Sequence, residues 1–432
     1  MQSKWRVLLL LGMWLAPMLS YAQSLLEFYQ HALETNPSVR GSEFGVEQAR
    51  AQEDLALAKL RPQVSASASH SWVDDRPSGL AARGYQGERA DVQARQALID
   101  LASYFKLQGA RFTVSQSEQE REAARMKLGG DVVDRYLVVL QAGDEMAHLQ
   151  AEKDAIEAQL KRLRFMYERQ LAKVTDVYEV QAYYQGLLTK EIEARNARAV
   201  ALERLHETSG LNARQVAPLA RASFSPVPGN QEQWVSDSAS KNPSLVALQN
   251  AIEAAQKLIE SGRAEHVPQL ALTASRVYAN QGYDNRSAPP YVVGTVGLQL
   301  SIPLYEGGRV QATVRDAIAR YDMAREKLEG ARREIARDVR TAYLNASTNH
   351  ARIDSTNEEV RSLEMVVEER KKSYSLGAST VIDVLVAQQR LYKAKSEQSK
   401  ARYDYIRNLT TLRARAGTLA RRDIEEVDTW MQ

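Results

Sequence analysis

Four segments of the chain alternate apolar and polar residues with a period of two. In the first, most of the odd positions are serine, and the even positions are Val64, Ala66, Ala68, His70 and Trp72. The four segments are residues 63–72, 86–98, 269–278 and 291–304. Because successive side chains of a strand point to opposite faces, they are predicted to be strands with one apolar and one polar face. Such segments are typical of transmembrane β-barrels; a soluble amphipathic hairpin packed on helices is the alternative.

The regions between these strands have helical periodicity. Residues 100–169 and 306–373 contain no proline, and apolar residues recur three and four positions apart, as at Ile156, Leu160 and Leu163. This is a narrow seam of the coiled-coil type. A continuous helix of about 70 residues is about 105 Å long. With seams this narrow, we expect the helices to form one layer without a globular core.

The chain contains this pattern twice. The segments that begin at Asn36 and Asn242 align without a gap at a spacing of 206 residues, and later matches, such as Tyr136 with Tyr343, have a spacing of 207. Each repeat is predicted to be a helix, a β-hairpin, a long helix, a turn and a further helix. The predicted divisions are 23–216 for the first repeat, 217–230 for a linker, 231–417 for the second repeat and 418–432 for a C-terminal tail.

Composition narrows the function classes. The chain has 432 residues, no cysteine and a formal charge of +3. The lack of cysteine excludes disulfides and thiolate catalysis, and the nearly balanced charge gives no reason to expect a nucleic-acid partner. Acidic and basic residues are interspersed throughout, which suits long solvated helices.

Residues 1–22 are predicted to be a secretory signal peptide. The segment begins with a basic stretch, continues with an apolar run over residues 7–15, and ends with Ser20, Tyr21 and Ala22. Small residues at such positions precede a signal-peptidase site, so cleavage is expected after Ala22. A membrane anchor is the alternative, but the apolar run is short for a span.

No enzyme is predicted. The six histidines are scattered, and the chain has no P-loop, dinucleotide-binding fingerprint or serine-elbow motif. No metal site and no cofactor are expected. Pro303, Gly307 and Gly308 are interpreted as a bend from strand to helix, because glycine tolerates the conformations that such a bend requires.

Four strands are too few to close a membrane barrel. An open sheet edge cannot be satisfied in lipid, and closed barrels begin at about eight strands. Copies of the chain are therefore expected to pool their strands in a cyclic oligomer. Dimers, trimers and tetramers all satisfy this argument.

The chain resembles the TolC-like outer-membrane efflux and secretion channels over essentially all of its length after residue 22. The resemblance is carried by the duplication, the two NPS…PQ segments, IPLYEGGR at residues 302–309, and YSLGASTVIDVLVAQQRLYKAKSEQSKARYDYIRNL at residues 374–409. It implies a protein that is mainly α with a transmembrane β-barrel. In this family a homotrimer forms a twelve-stranded barrel in the outer membrane of a Gram-negative bacterium and a long periplasmic helical tunnel.

The resemblance also implies two sites at the inner end of the tunnel. Family members narrow the pore with aspartates: Asp383 matches one position, but Val386 occupies the second, so a weaker ring of negative charge is expected. An aspartate, a tyrosine and an arginine latch the closed state in the family. Asp176 and Tyr374 match the first two, and Ser379 replaces the arginine, so only a hydrogen bond is expected. Without the resemblance, both aspartates are interpreted as helix N-caps and the tyrosine as a seam residue.

The predicted function is that of a passive outer-membrane exit duct. Its expected partners are a periplasmic adaptor (a membrane fusion protein), an inner-membrane transporter that is ABC-type or proton-driven, and outer-membrane lipid. Type I protein secretion is favoured slightly over multidrug efflux. A soluble periplasmic coiled-coil adaptor is the alternative from another class.

Overall fold

The computed structural model of the protein describes residues 23–75, 78, 83–213, 216–220, 224–280 and 289–431. The predicted signal peptide, residues 1–22, lies outside these ranges, as do parts of both hairpin loops and of the linker. The described part is mainly helical, as predicted.

Two copies of one plan follow each other along the chain. The first comprises α1 (Leu25–Thr35), α2 (Pro37–Ala58), β1 (Gln63–Asp75), β2 (Arg83–Ile99), α3 (Leu101–Glu168) and α4 (Val174–Ser209). The second comprises α5 (Gln231–Lys241), α6 (Pro243–Ala264), β3 (Gln269–Ala279), β4 (Tyr291–Ser301), α7 (Arg309–Ser375) and α8 (Val381–Arg415). A final helix, α9 (Arg421–Thr429), follows the second copy.

An Asn-Pro pair divides the first helical region of each repeat. Asn36 lies between α1 and α2, and its side chain accepts a hydrogen bond from the Ser38 N–H at 2.9 Å. Asn242 does the same between α5 and α6. Pro37 and Pro243 then occupy the first helical position, where proline's missing N–H has no intrahelical partner to lose.

The four strands form one antiparallel sheet in the order β1-β2-β3-β4. The two hairpins join through β2 and β3, where Ala94 pairs with Ala274. The pairing of β2 with β3 is irregular between Ala97 and Ile99. The sheet therefore unites the two repeats, and β1 and β4 form its edges.

Three strands are longer than predicted and one is shorter. The predicted ranges 63–72, 86–98 and 269–278 extend to the bounds given above, but the predicted strand 291–304 ends at Ser301. Pro303 explains the correction, because proline has no N–H for a strand ladder and has a fixed φ.

The long helices pack on helices of their own repeat, and α3 also packs on α6 of the other repeat. α3 has 68 residues and packs along α4, whereas α7 has 67 residues and packs along α8. At 1.5 Å per residue, each long helix extends for about 100 Å. A further contact between α3 and α8 connects the two helix pairs.

The expectation of a single helical layer without a globular core was wrong. Around the middle of α3, α1 and α9 pack on the helices together with residues of the linker. Phe28, Tyr136, Tyr405 and Ile406 are almost completely buried in this cluster. The second layer comes from short segments that lack a long-helix pattern, and these segments cover apolar residues that a seam alone would expose.

The described residues 418–431 contain a packed helix, where a simple tail was predicted. Helix α9 buries Ile424 and Val427, three residues apart on one face. Its Asp428 accepts a hydrogen bond from the Leu26 N–H at 3.3 Å, and the Ala220 N–H donates to the Trp430 carbonyl at 3.0 Å. The end of the chain therefore fastens α1 and the linker. Among the described helices, none is both long and apolar enough to cross a membrane.

Candidate functional site

One face of the sheet is apolar and uncovered. The register places even-numbered residues of all four strands on the same face, as in the pairs Leu272 with Leu298 and Ala274 with Val296. Val296 is 76% exposed and Leu298 is 66% exposed, although the burial of such side chains is normally favourable. An exposed apolar surface of this kind indicates contact with lipid or another apolar partner.

The opposite face of the sheet is polar and carries a hydrogen-bond network. The Ser67 hydroxyl donates to Asp91 at 2.6 Å, and the Gln93 amide donates to the other carboxylate oxygen at 3.0 Å. The guanidinium of Arg89 lies 3.7 Å from the same carboxylate. The alternation predicted a polar face, but it gave no indication of which residues pair across the strands.

Tyr278 and Tyr291 are both near the loop end of the second hairpin, and both are partly exposed. Tyr278 pairs with Val292, whereas Tyr291 pairs with Ala279. The two tyrosines therefore lie on opposite faces. Only Tyr278 shares the apolar face and is positioned as an interfacial aromatic residue.

The junction between β4 and α7 bends at the predicted glycines. Gly307 and Gly308 have φ values of 61° and 84°, and Gly308 precedes the first residue of α7. Side chains disfavour this left-handed region. Arg309 then donates to Glu265 and Glu306 at 2.6 Å each, which ties the start of α7 to the end of α6.

Asp383 lies in the first turn of α8 and is not the N-cap. Thr380 is the N-cap, and its N–H and hydroxyl donate to the Asp383 carboxylate at 2.9 Å and 2.7 Å. The Ser379 hydroxyl adds a third hydrogen bond at 3.1 Å. The side-chain and backbone bonds from Thr380, followed by the bond from Ser379, lower the pKa of Asp383. The carboxylate is therefore held in its charged form near the tip of the second helical hairpin.

Asp176 occupies the corresponding turn of α4, and it is not the N-cap either. Lys173 precedes the helix, and no side chain caps it. Gln170 has a φ of 60° in the turn before α4, whereas Gly377 has a φ of 75° at the equivalent place in the second repeat. The turn before α4 therefore carries a glutamine side chain at the position where the turn before α8 has glycine.

The structure does not join the predicted latch residues by a hydrogen bond. In the described part of the chain, the Tyr374 hydroxyl has no bond to Asp176; the carboxylate accepts from the Thr175 hydroxyl at 3.4 Å. Tyr374 instead packs against the apolar cluster of α3 and α4. The hydroxyl of Ser379 donates its hydrogen bond to Asp383 within the second repeat, as described above, and not to a residue of the first repeat.

Val381 connects the helical hairpin of α7 and α8 to the helical hairpin of α3 and α4, and the sequence did not predict this contact. It is the first residue of α8, it is 1% exposed, and it belongs to the cluster formed by α3 and α4. Leu385, one helical turn further on, packs on the same cluster. The start of α8 therefore packs on α3 and α4 through buried apolar side chains. A valine after a turn is unremarkable in sequence, so nothing marked it.

Glu152 is a second residue that was missed. It is 6% exposed, on the buried face of α3 between Leu149 and Ile156, and the Tyr183 hydroxyl of α4 forms a short hydrogen bond to it. Burial raises the pKa of the Glu152 carboxyl, and the bond from Tyr183 partly opposes this shift. A polar residue that interrupts the apolar spacing of the seam is the signal that could have found it.

No described group of three or more His, Cys, Asp or Glu side chains is arranged to hold a metal ion. The geometry instead presents surfaces: an apolar sheet face, a polar sheet face and a charged helical tip. Such surfaces suit a conduit and its contacts.

The family model described as outer membrane efflux protein matches residues 28–211 and 234–418. The chain belongs to this family. It is 28% identical to the outer membrane protein TolC of Vibrio cholerae, covering 95% of this chain and 94% of that protein. It is 30% identical to the alkaline protease secretion protein AprF of Pseudomonas aeruginosa, covering 94% and 87%. The fold matches the outer membrane channel CmeC of Campylobacter jejuni with a TM-score of 0.82, at 16% identity over 94% of this chain and 89% of that one.

The family settles several predictions. The TolC-like family and the outer-membrane location with a periplasmic helical extension are confirmed, as is the general class of export duct. The hypothesis of a soluble periplasmic adaptor is wrong, because the match is to an outer-membrane family along both repeats. The family is one of efflux and not of catalysis.

Proposed function

We propose that the protein is the outer-membrane exit duct of a tripartite export system, fed by an inner-membrane transporter through a periplasmic adaptor. The observation that carries this proposal is the continuity of an uncovered amphipathic sheet with helices about 100 Å long. The sheet provides a membrane surface and the helices provide the reach.

The sheet has two free edges, β1 and β4, in a single chain. Within a membrane, the backbone N–H and C=O groups at such edges need hydrogen-bond partners from protein, because lipid supplies none. A homotrimer supplies them, because β4 of each copy can pair with β1 of the next and three copies give twelve strands. The even-numbered face then meets outer-membrane lipid, and the polar face with Asp91 lines the pore.

The helical tip is the gate of this duct. Three copies of Asp383 form a ring of negative charge at the constriction, which favours cations and opposes anions. The packing of Val381 on α3 and α4 holds the helical hairpin of α7 and α8 in the closed position. In the assembled trimer, Asp176 and Tyr374 add the polar part of this latch. Adaptor contacts that favour the open arrangement shift the population towards it.

Protein cargo delivered by an ABC-type transporter is the favoured use, in agreement with the 30% identity to a protein that is named for protease secretion. Small-molecule efflux with a proton-driven pump is the second candidate. A deletion strain separates them: loss of an exported protein with unchanged drug sensitivity supports the first, and the reverse result supports the second.

The duct itself is tested by planar-bilayer conductance of the purified protein, with wild type beside Asp383→Ala. Steady channels are expected, with block by multivalent cations that weakens in the variant. Channels with identical block would move the constriction away from Asp383. Protein that never forms channels would overturn the duct.

A further inference from the structure

One positive charge interrupts the apolar face of the sheet. Arg276 pairs with Gly294 on β4 and with Val92 on β2. The neighbouring rows on this face are apolar: Ala274 with Val296 on one side, and Tyr278 with Val292 on the other. Arg276 is therefore surrounded by the residues that meet lipid in the proposed duct.

This arginine has no partner within the described part of the chain. Its side chain is exposed, and it makes no ion pair or hydrogen bond there. The acidic residue on the same face of the adjacent strand, Glu88, lies four positions beyond Val92 and is 3.4 Å from His70. No described residue neutralises the guanidinium, which leaves it available to a counter-charge from the surroundings.

The position of Arg276 along the strand indicates where that counter-charge lies. Arg276 is three residues before the end of β3 at Ala279, or about 10 Å along the strand. On the side towards the helices, the apolar face continues for a longer distance through Leu272 and Leu298. The arginine is thus near the loop end, which is the outer boundary in a duct whose helices point inward.

Two neighbours suit a headgroup contact. Tyr278 is 40% exposed and lies one row nearer the loops, where interfacial aromatic residues are found. Gly294 has no side chain, and no atom approaches closer than 4.0 Å to the place of a Cβ there. The long arginine stem can therefore cross an open position and bring its guanidinium to headgroup level.

We propose that Arg276 binds a phosphate group of a phosphorylated glycolipid in the outer leaflet. The planar guanidinium matches the geometry of phosphate oxygens with paired hydrogen bonds. The inference rests on the proposed function, because it requires that the even-numbered face meets lipid. Phosphate on an ordinary phospholipid has related chemistry, but the loop-end position assigns the site to the outer leaflet.

Native mass spectrometry of the delipidated, detergent-purified protein tests this assignment. The probes are bis-phosphorylated lipid A, dephosphorylated lipid A and phosphatidylglycerol. Wild type is expected to retain bis-phosphorylated lipid A at least fivefold more than either other lipid. Arg276→Gln should lose this preference, and Arg276→Lys should restore part of it. Arg95→Gln is the matched control, because Arg95 is exposed on the opposite face of β2.

Equal retention by wild type and Arg276→Gln would overturn the site, as would equal retention of the phosphorylated and dephosphorylated lipids by wild type. Equal binding of phosphatidylglycerol would overturn the assignment to a glycolipid. Bilayer conductance of the same preparations separates this failure from that of the duct: channels without lipid preference reject only the lipid site, and the absence of channels rejects the proposed function.

Discussion

The side-chain amide of Asn242 donates a hydrogen bond to the carbonyl oxygen of Arg415 at 2.8 Å. In the first repeat, Asn36 makes the same bond to the carbonyl of Thr208 at 2.9 Å. Each asparagine also caps the helix that follows it. In each repeat, the break between the two short helices is thereby joined to the C-terminus of α4 or α8, where the last carbonyls of a helix lack partners within that helix.

Gly417 lies two residues after Arg415, the acceptor of this bond in the second repeat, and it is expected to be intolerant of substitution. It has a φ of 73°, and a Cβ there would lie 2.4 Å from the Cα of Asn242. Because backbone must move to accept it, Gly417→Ala is expected to lower the free energy of unfolding by more than about 2 kcal/mol. Denaturant unfolding of the detergent-solubilised protein measures the loss.

The first repeat supplies a matched comparison for that substitution. Gly210 has a φ of 70°, but the nearest atoms to its Cβ position belong to the side chains of Thr35 and His31. Gly210→Ala should therefore cost less, closer to the roughly 1 kcal/mol of the backbone conformation alone. Gly130→Ala, in open space within α3, should be neutral or slightly stabilising. Equal losses at Gly210 and Gly417 would contradict the clash.

Val381→Ala is expected to loosen the gate. The substitution removes methyl groups from a side chain that is 1% exposed in the cluster of α3 and α4. At about 0.8 kcal/mol for each of the two methyl groups, a loss of about 1.5 kcal/mol per chain shifts the closed–open equilibrium about tenfold towards open. Single-channel conductance and sensitivity to bulky antibiotics report the change.

Val366→Ala is the control for the gate, because Val366 lies on α7 of the same helical hairpin, is 44% exposed and has no place in the pore constriction. It should leave conductance and drug sensitivity near wild type. If both variants behave alike in protein of equal abundance, the packing of Val381 does not hold the closed state.

The sequence predicted the elements of this fold better than it predicted their contacts. Periodicity and the repeat spacing predicted each hairpin and long helix, because a strand or a helix face repeats locally. The burial of α9 and the packing of Val381 depend on segments distant in the chain. Asp383 was found by its position in a family pattern, but its three hydrogen bonds come from local turn geometry. Pro303 was assigned to the bend from strand to helix, but the predicted strand ran past it to residue 304, whereas β4 ends at Ser301.

The pH at which cation block of the pore is lost should depend on the hydroxyl of Thr380. Within one chain, hydrogen bonds from Thr380 and Ser379 lower the pKa of Asp383, whereas the like charges of three copies in the proposed ring raise it. Thr380→Ala keeps the aspartate but removes a hydroxyl donor, so block should be lost at a higher pH than in wild type. Asp383→Asn should abolish the pH dependence. Coincident pH profiles for wild type and Thr380→Ala would contradict this account.

Glu152→Gln is expected to stabilise the protein at neutral pH. Burial raises the pKa of Glu152, so the folded protein holds this proton more tightly than the unfolded chain. The charged carboxylate therefore costs folding free energy at neutral pH, and that cost disappears as the pH falls below about 4.5. The melting temperature of the variant should exceed that of wild type at neutral pH, and the difference should shrink at about pH 4. Partly exposed Glu157 provides the control, since it pairs with Lys161 and its substitution by glutamine should not stabilise. A variant that melts below wild type at neutral pH would show that the hydrogen bond from Tyr183 outweighs burial.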